Sequence, residues 1–171
     1  LTEWFDHKLY REAVRTKADN PDLHVHLGYC YKQLAQYQGA EVEYRKAVQK
    51  DPKSYYGHLD LGWVLVKLKN DAEAEPHYLE ASKLKPTEAF PHFNLGNLYV
   101  RKGDMLAAEK HYAKSVELDP KAVDHRIAHA PALWRNDRAK EAKATLEQAK
   151  KLNPSDAEKK AIDQLMKLTD S

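Results

Sequence analysis

The stretch His92-Phe-Asn-Leu-Gly-Asn-Leu-Tyr-Val-Arg-Lys-Gly-Asp104 decides the fold, because it does not stand alone. "HVHLGYCYKQLAQ" begins at His24 and "HLDLGWVLVKLKN" at His58, so Gly28, Gly62 and Gly96 recur at a spacing of 34 residues. Other landmarks keep the same phase: Ala40, Ala74, Ala108 and Ala142; Tyr44, Tyr78, Tyr112 and Leu146; Ala47, Ala81, Ser115 and Ala149; Pro52, Pro86, Pro120 and Pro154. A fixed period of this size marks an array of repeated supersecondary units. The fourth copy is degenerate in its first half, where His129-Ala130 stands in place of Leu-Gly.

Each landmark has a physical reason. The leucine and the Tyr or Leu four residues on (Tyr31, Leu65, Tyr99, Leu133) share one helix face. A glycine inside a helix costs about 1 kcal/mol relative to alanine. Three at one slot therefore predict close approach of a second helix, with Ala40 and its equivalents as the matching small surface. The closing proline cannot continue a helix and pushes its predecessor out of helical geometry. Asn70-Asp71, Gly103-Asp104 and Asn136-Asp137 read as turns between the two helices of a copy.

The bulk composition agrees. The chain has 171 residues with 28 basic and 26 acidic side chains, so no strong field points to nucleic acid or a membrane surface. Few glycines and many charges favour a helical, well-solvated chain. No run approaches the roughly 20 apolar residues of a membrane span. A single cysteine, Cys30, excludes an internal disulfide framework and leaves cytoplasm and periplasm both open. Because the sequence starts at Leu1, it reads as a fragment or a processed form.

Leu-Gly, Tyr, Ala, aromatic and Pro at these offsets resemble the tetratricopeptide repeat family over about residues 21–156. The resemblance implies an all-α, right-handed superhelical solenoid of antiparallel helix hairpins. Residues 1–20 are expected to form a leading half-repeat, since Tyr10 and Ala13 lie in phase with Tyr44 and Ala47. Four repeats follow, at 21–54, 55–88, 89–122 and 123–156. Residues 157–171 are expected to form a C-terminal capping helix with a polar back.

In such an array the first helices line the concave, binding side. The outward residues there predict a groove of Tyr29, Tyr56, Leu59, Trp63, Phe90, Phe93, Asn94, Asn97, Arg101 and Trp134. An aromatic stripe with amides beside it suits a partner peptide or helix, anchored by rings and bonded through its backbone. The competing reading is that individual rings pack between neighbouring repeats. Co-chaperone members of the family hold an acidic C-terminal peptide with a Lys and an Asn in a leading repeat. Here Val25 and Tyr29, then Leu59 and Trp63, fill those slots, and beside Asn97 a phenylalanine, Phe93, replaces the lysine. No clamp of that kind is expected.

Chemistry finds little foothold. His24, His58 and His92 fall in one slot of successive repeats, about a helix-packing distance apart, too far to share a zinc. His77 and His111 fail likewise. His125 and His129 are four apart, but Arg126 stands where a metalloprotease motif has its glutamate. No metal, no cofactor and no enzyme activity are expected. Cys30 reads as a small packed residue. Lys32, Lys67, Arg101 and Arg135 recur near the ends of first helices, where the dipole favours cations, so nucleic acid is not expected as a partner. Pro131, inside the fourth first helix, predicts a kink or break near 127–130.

The leading expectation is a non-enzymatic protein-interaction module. The alternatives are a self-assembling scaffold joined through Trp4, Phe5 and Tyr10 at an open N-terminal edge, and a targeting or regulatory domain cut from a longer protein.

Overall fold

A computed structural model of the chain describes residues 2–17 and 19–169, with side chains at 8–13, 15–17 and 19–169. Among these the secondary structure is ten α-helices and no strand. They are α1 (Thr2–Thr16), α2 (Pro21–Gln33), α3 (Tyr37–Lys50), α4 (Tyr55–Lys67), α5 (Asp71–Leu84), α6 (Phe90–Lys102), α7 (Met105–Leu118), α8 (Val123–Arg135), α9 (Ala139–Lys150) and α10 (Asp156–Thr169). The chain divides into two compact units, Leu1–Pro86 and Thr87–Ser171.

In the first unit α2 pairs with α3 and α4 with α5, while α3 packs on α4 and α1 on α2. The first helices α2 and α4 also touch. In the second unit α6 pairs with α7 and α8 with α9, α7 packs on α8, and α10 leans on both α8 and α9.

The expected close approach is present, but a tyrosine ring fills it rather than Ala40 and its equivalents. A Cβ added at Gly28 would lie 2.8 Å from the ring of Tyr44, at Gly62 2.8 Å from Tyr78, and at Gly96 2.5 Å from Tyr112. Each glycine is a socket for the second-helix tyrosine of its own hairpin. All three tyrosines are buried. In the fourth hairpin the pair is Ala130 with Leu146, in one cluster with Leu133, Ala142, Ala149 and Ile162. A methyl has been added on one helix and a ring removed from the other, which is how close packing keeps its total volume.

The turns repeat as faithfully. Ala35, Lys69, Gly103 and Asp137 all have positive φ, at 54°, 63°, 79° and 61°. After each, the next backbone N–H donates five residues back: Gln36 to Tyr31, Asn70 to Leu65, Asp104 to Tyr99 and Arg138 to Leu133. This is the left-handed C-terminal cap that satisfies orphan carbonyls. Only the third copy has the glycine that this geometry favours. Asp104 also starts the following helix, its carboxylate accepting from the Ala107 N–H at 3.0 Å.

Of the kink or break expected near 127–130, the break is absent: α8 runs as one helix through 127–130 and on to Arg135. Pro131 still removes one N–H, but Ala130, Ala132 and Leu133 are buried around it, and that packing holds the helical path. A second interior proline, Pro76, is tolerated within α5. Cys30 is buried, as its packed reading implies.

Candidate partner-binding surface

On the first unit the predicted surface residues come from adjacent first helices, α2 and α4. Tyr29 is 50% exposed and Tyr56 58%. Leu59 and Trp63 are half-buried. Lysines lie over three of these rings, in two groups. Lys32 Nζ lies 5.2 Å from the Tyr29 ring centre and 5.4 Å from that of Trp63, and Lys67 Nζ lies 4.8 Å from Trp63. These are cation–π distances. Lys32 is also salt-bridged to Asp60 at 2.6 Å, which ties α2 to α4. Tyr37 meets Trp63 edge-on at 5.8 Å. At the other end of α4, Tyr55 and Tyr56 meet edge-on at 5.0 Å, with Lys85 Nζ 4.7 Å and 4.9 Å from their centres. The structure thus joins Tyr29 to Trp63, while Tyr56 belongs to a second cluster along the same helix.

On the second unit the predicted residues separate. Phe93 is half-buried: it stacks on His125 at 4.5 Å, approaches Tyr112 at 6.0 Å and packs against the cluster of Ala108, Tyr112 and Ala132. Phe90 meets His125 edge-on at 6.0 Å and is 56% exposed. Asn97 is exposed, and its Oδ1 accepts the Tyr112 hydroxyl at 2.6 Å, which leaves its amide N–H groups as donors. Burial pushes the Tyr112 hydroxyl up to about 12, so it remains a donor. Asn94 is half-buried and Arg101 exposed. Trp134 stands apart at the far end of α8. With Ala130, Pro131, Leu165 and Leu168 it lines a cavity of about 180 Å³ between α8 and α10.

The proposed edge is partly occupied. Tyr10 stacks on His26 of α2 at 5.1 Å. The Trp4 and Phe5 side chains lie outside the described residues.

Sequence reasoning missed the histidine partners by comparing histidines between repeats. The contacts run within hairpins. His58 Nδ1 lies 3.0 Å from His77 Nδ1, and His92 Nδ1 3.1 Å from His111 Nδ1. In the first hairpin the same slots hold His24 and Glu43, 2.7 Å apart and buried. Their common separation of 19 residues was the available signal. His58 Nε2 donates to the Pro52 carbonyl at 3.0 Å. Burial, then the neighbouring His58, holds the His77 pKa below its ordinary value, and burial and Lys114 do the same to His92. Among the described residues no group of three or more His, Cys, Asp or Glu converges as a metal site would need.

The fourth hairpin has Arg126 in the histidine slot. It is buried, with Nε and Nη1 unpartnered, and the Nε2 of His129 is buried without a partner three residues on.

Family models described as "Tetratricopeptide repeat" match residues 31–89, 91–122 and 128–156. No curated protein matches the chain. Solved structures do. pilF of Pseudomonas aeruginosa is 22% identical, with a TM-score of 0.82 over 94% of this chain and 74% of its own. MamA of Desulfovibrio magneticus RS-1 is 22% identical, with a TM-score of 0.78 over 85% of this chain and 82% of its own. YrrB, described as "a TPR protein with an unusual peptide-binding site", is 21% identical, with a TM-score of 0.75 over 92% of this chain and 80% of its own. At these identities the likeness is one of fold. Among the described residues no helix is long and apolar enough to cross a membrane.

Proposed function

The chain belongs to the tetratricopeptide repeat family, and from that premise we propose that it is a non-enzymatic module that captures a partner peptide or helix on its first-helix face. The observation that carries this reading is the solvent-facing aromatic surface of α2 and α4. Tyr29, Tyr56 and Trp63 sit there in reach of lysines, with Leu59 between them. Large rings left at a surface supply contact area at small conformational cost, and such residues dominate binding energy where partners meet.

On the second unit Phe90, Phe93, Asn94, Asn97, Arg101 and Trp134 are proposed as contacts. Asn97 would donate to the carbonyl of a bound backbone, since its own oxygen is engaged. The description of YrrB lends support by precedent. In this reading residues 1–20 are a half-repeat, the hairpins of each unit within 21–156 carry the contacts named for that unit, and 157–171 form the C-terminal cap.

Affinity capture from the native lysate tests the proposal. The wild-type chain is expected to retain a partner that the Trp63→Ala, Asn97→Ala double variant loses, with both chains equally helical. Equal retention by the two would remove the basis of the reading.

A further inference from the structure

The first-unit face carries a charge pattern as well as an apolar one. Along α4 the outward residues are Tyr56, Leu59, Trp63 and Lys67, a stripe of one helix face at i, i+3, i+7 and i+11. Lys67 closes one end over Trp63, and Lys85 closes the other over Tyr55 and Tyr56. Asp60, the acidic residue of α4, is neutralised by Lys32. Lys67 and Lys85 have no carboxylate partner among the described residues. The stripe is therefore apolar in the middle and cationic at both ends.

A cation over an exposed ring is held weakly, so neither lysine is committed to its ring. Each keeps N–H donors for a carboxylate, and a pair shielded by a bound apolar segment is screened less than one in open solvent. Like charge set against these ends would repel, so the pattern selects among partners.

Resting on the reading of this face as the partner surface, we propose that α4 receives a segment whose apolar or aromatic centre is bounded on both sides by Asp or Glu. Tyr56 and Lys67 lie about 16 Å apart along the helix axis. An extended segment covers that in about five residues, which sets the separation of its acidic ends.

The probe is a displayed library of random peptides, panned at low salt on the full chain, on Lys67→Glu with Lys85→Glu, and on Trp63→Ala. Circular dichroism checks that all three are folded. The wild-type chain is expected to enrich apolar-centred peptides with acidic flanks at least tenfold over the same centres with basic flanks. The charge-reversed chain should enrich basic flanks instead, and Trp63→Ala should lose both. Enrichment that depends on Trp63 but ignores flanking charge would keep the binding face and overturn the acidic-flank inference. Enrichment by the wild-type chain of nothing above the Trp63→Ala background would overturn both.

Discussion

At the scale of single residues, the turns hold a strain that the sequence relieves in one copy of four. Ala35, Lys69 and Asp137 occupy a left-handed position that costs a residue with a Cβ about 1–2 kcal/mol. Gly103 fills the equivalent slot in the third copy, where an added Cβ would meet nothing within 4 Å. Lys69→Gly is expected to stabilise the chain by about 0.5–1 kcal/mol, read as a raised denaturant midpoint at unchanged slope. A lower midpoint would mean that the turn is held by the Lys69 side chain. The histidine pairs give a second prediction. His77 and His92 have pKa values lowered by burial, His77 with Arg45 and His58 adding to the effect against Glu73, and His92 with Lys114 adding to it against Glu117. Their neutral forms are favoured by folding. That stability is fully present above the unfolded value of about 6.5 and is lost as pH falls through the lower folded values. The melting temperature should hold near neutrality and fall from about pH 6.5 downward. His77→Phe should flatten the fall.

At the scale of elements, the hairpin is a glycine socket filled by a tyrosine, three times over, and an alanine facing a leucine once. Gly62→Ala should therefore destabilise by about 1–3 kcal/mol despite the better helix propensity of alanine, because the new methyl meets the Tyr78 ring. Adding Tyr78→Leu, which copies the fourth hairpin, should recover at least half of the loss. A double variant no better than Gly62→Ala would show that the two sites do not trade volume. The close approach was legible from the glycine spacing, but its partner was not: the rings of Tyr44, Tyr78 and Tyr112 stand where Ala40 and its equivalents were expected. Pro131 was not legible, because a local rule about one missing N–H was outweighed by the burial of Ala130, Ala132 and Leu133. The histidine pairs were half legible: their 19-residue spacing is plain, but periodic thinking directs attention to 34.

At the scale of the molecule, the repeat fold was readable from phase, because each hairpin obeys the same packing code. The division into Leu1–Pro86 and Thr87–Ser171 was not, since Pro86 carries the same signal as Pro52 and Pro120. What each half-buried ring packs on was also hidden. Trp63 and Phe93 fall in neighbouring outward slots of their helices, yet Trp63 lies between lysines while Phe93 lies on His125. Local partners decided between them, and no periodicity names those. The central claim is that the α2–α4 face of the first unit is where a partner binds. Its most direct test is the dissociation constant of a captured partner for the wild-type and Trp63→Ala chains, measured side by side with their melting temperatures. A surface hot spot of about 2 kcal/mol corresponds to roughly 30-fold weaker binding, and that loss, with the melting temperature held within a few degrees, is the predicted result. Binding unchanged within about twofold would contradict it.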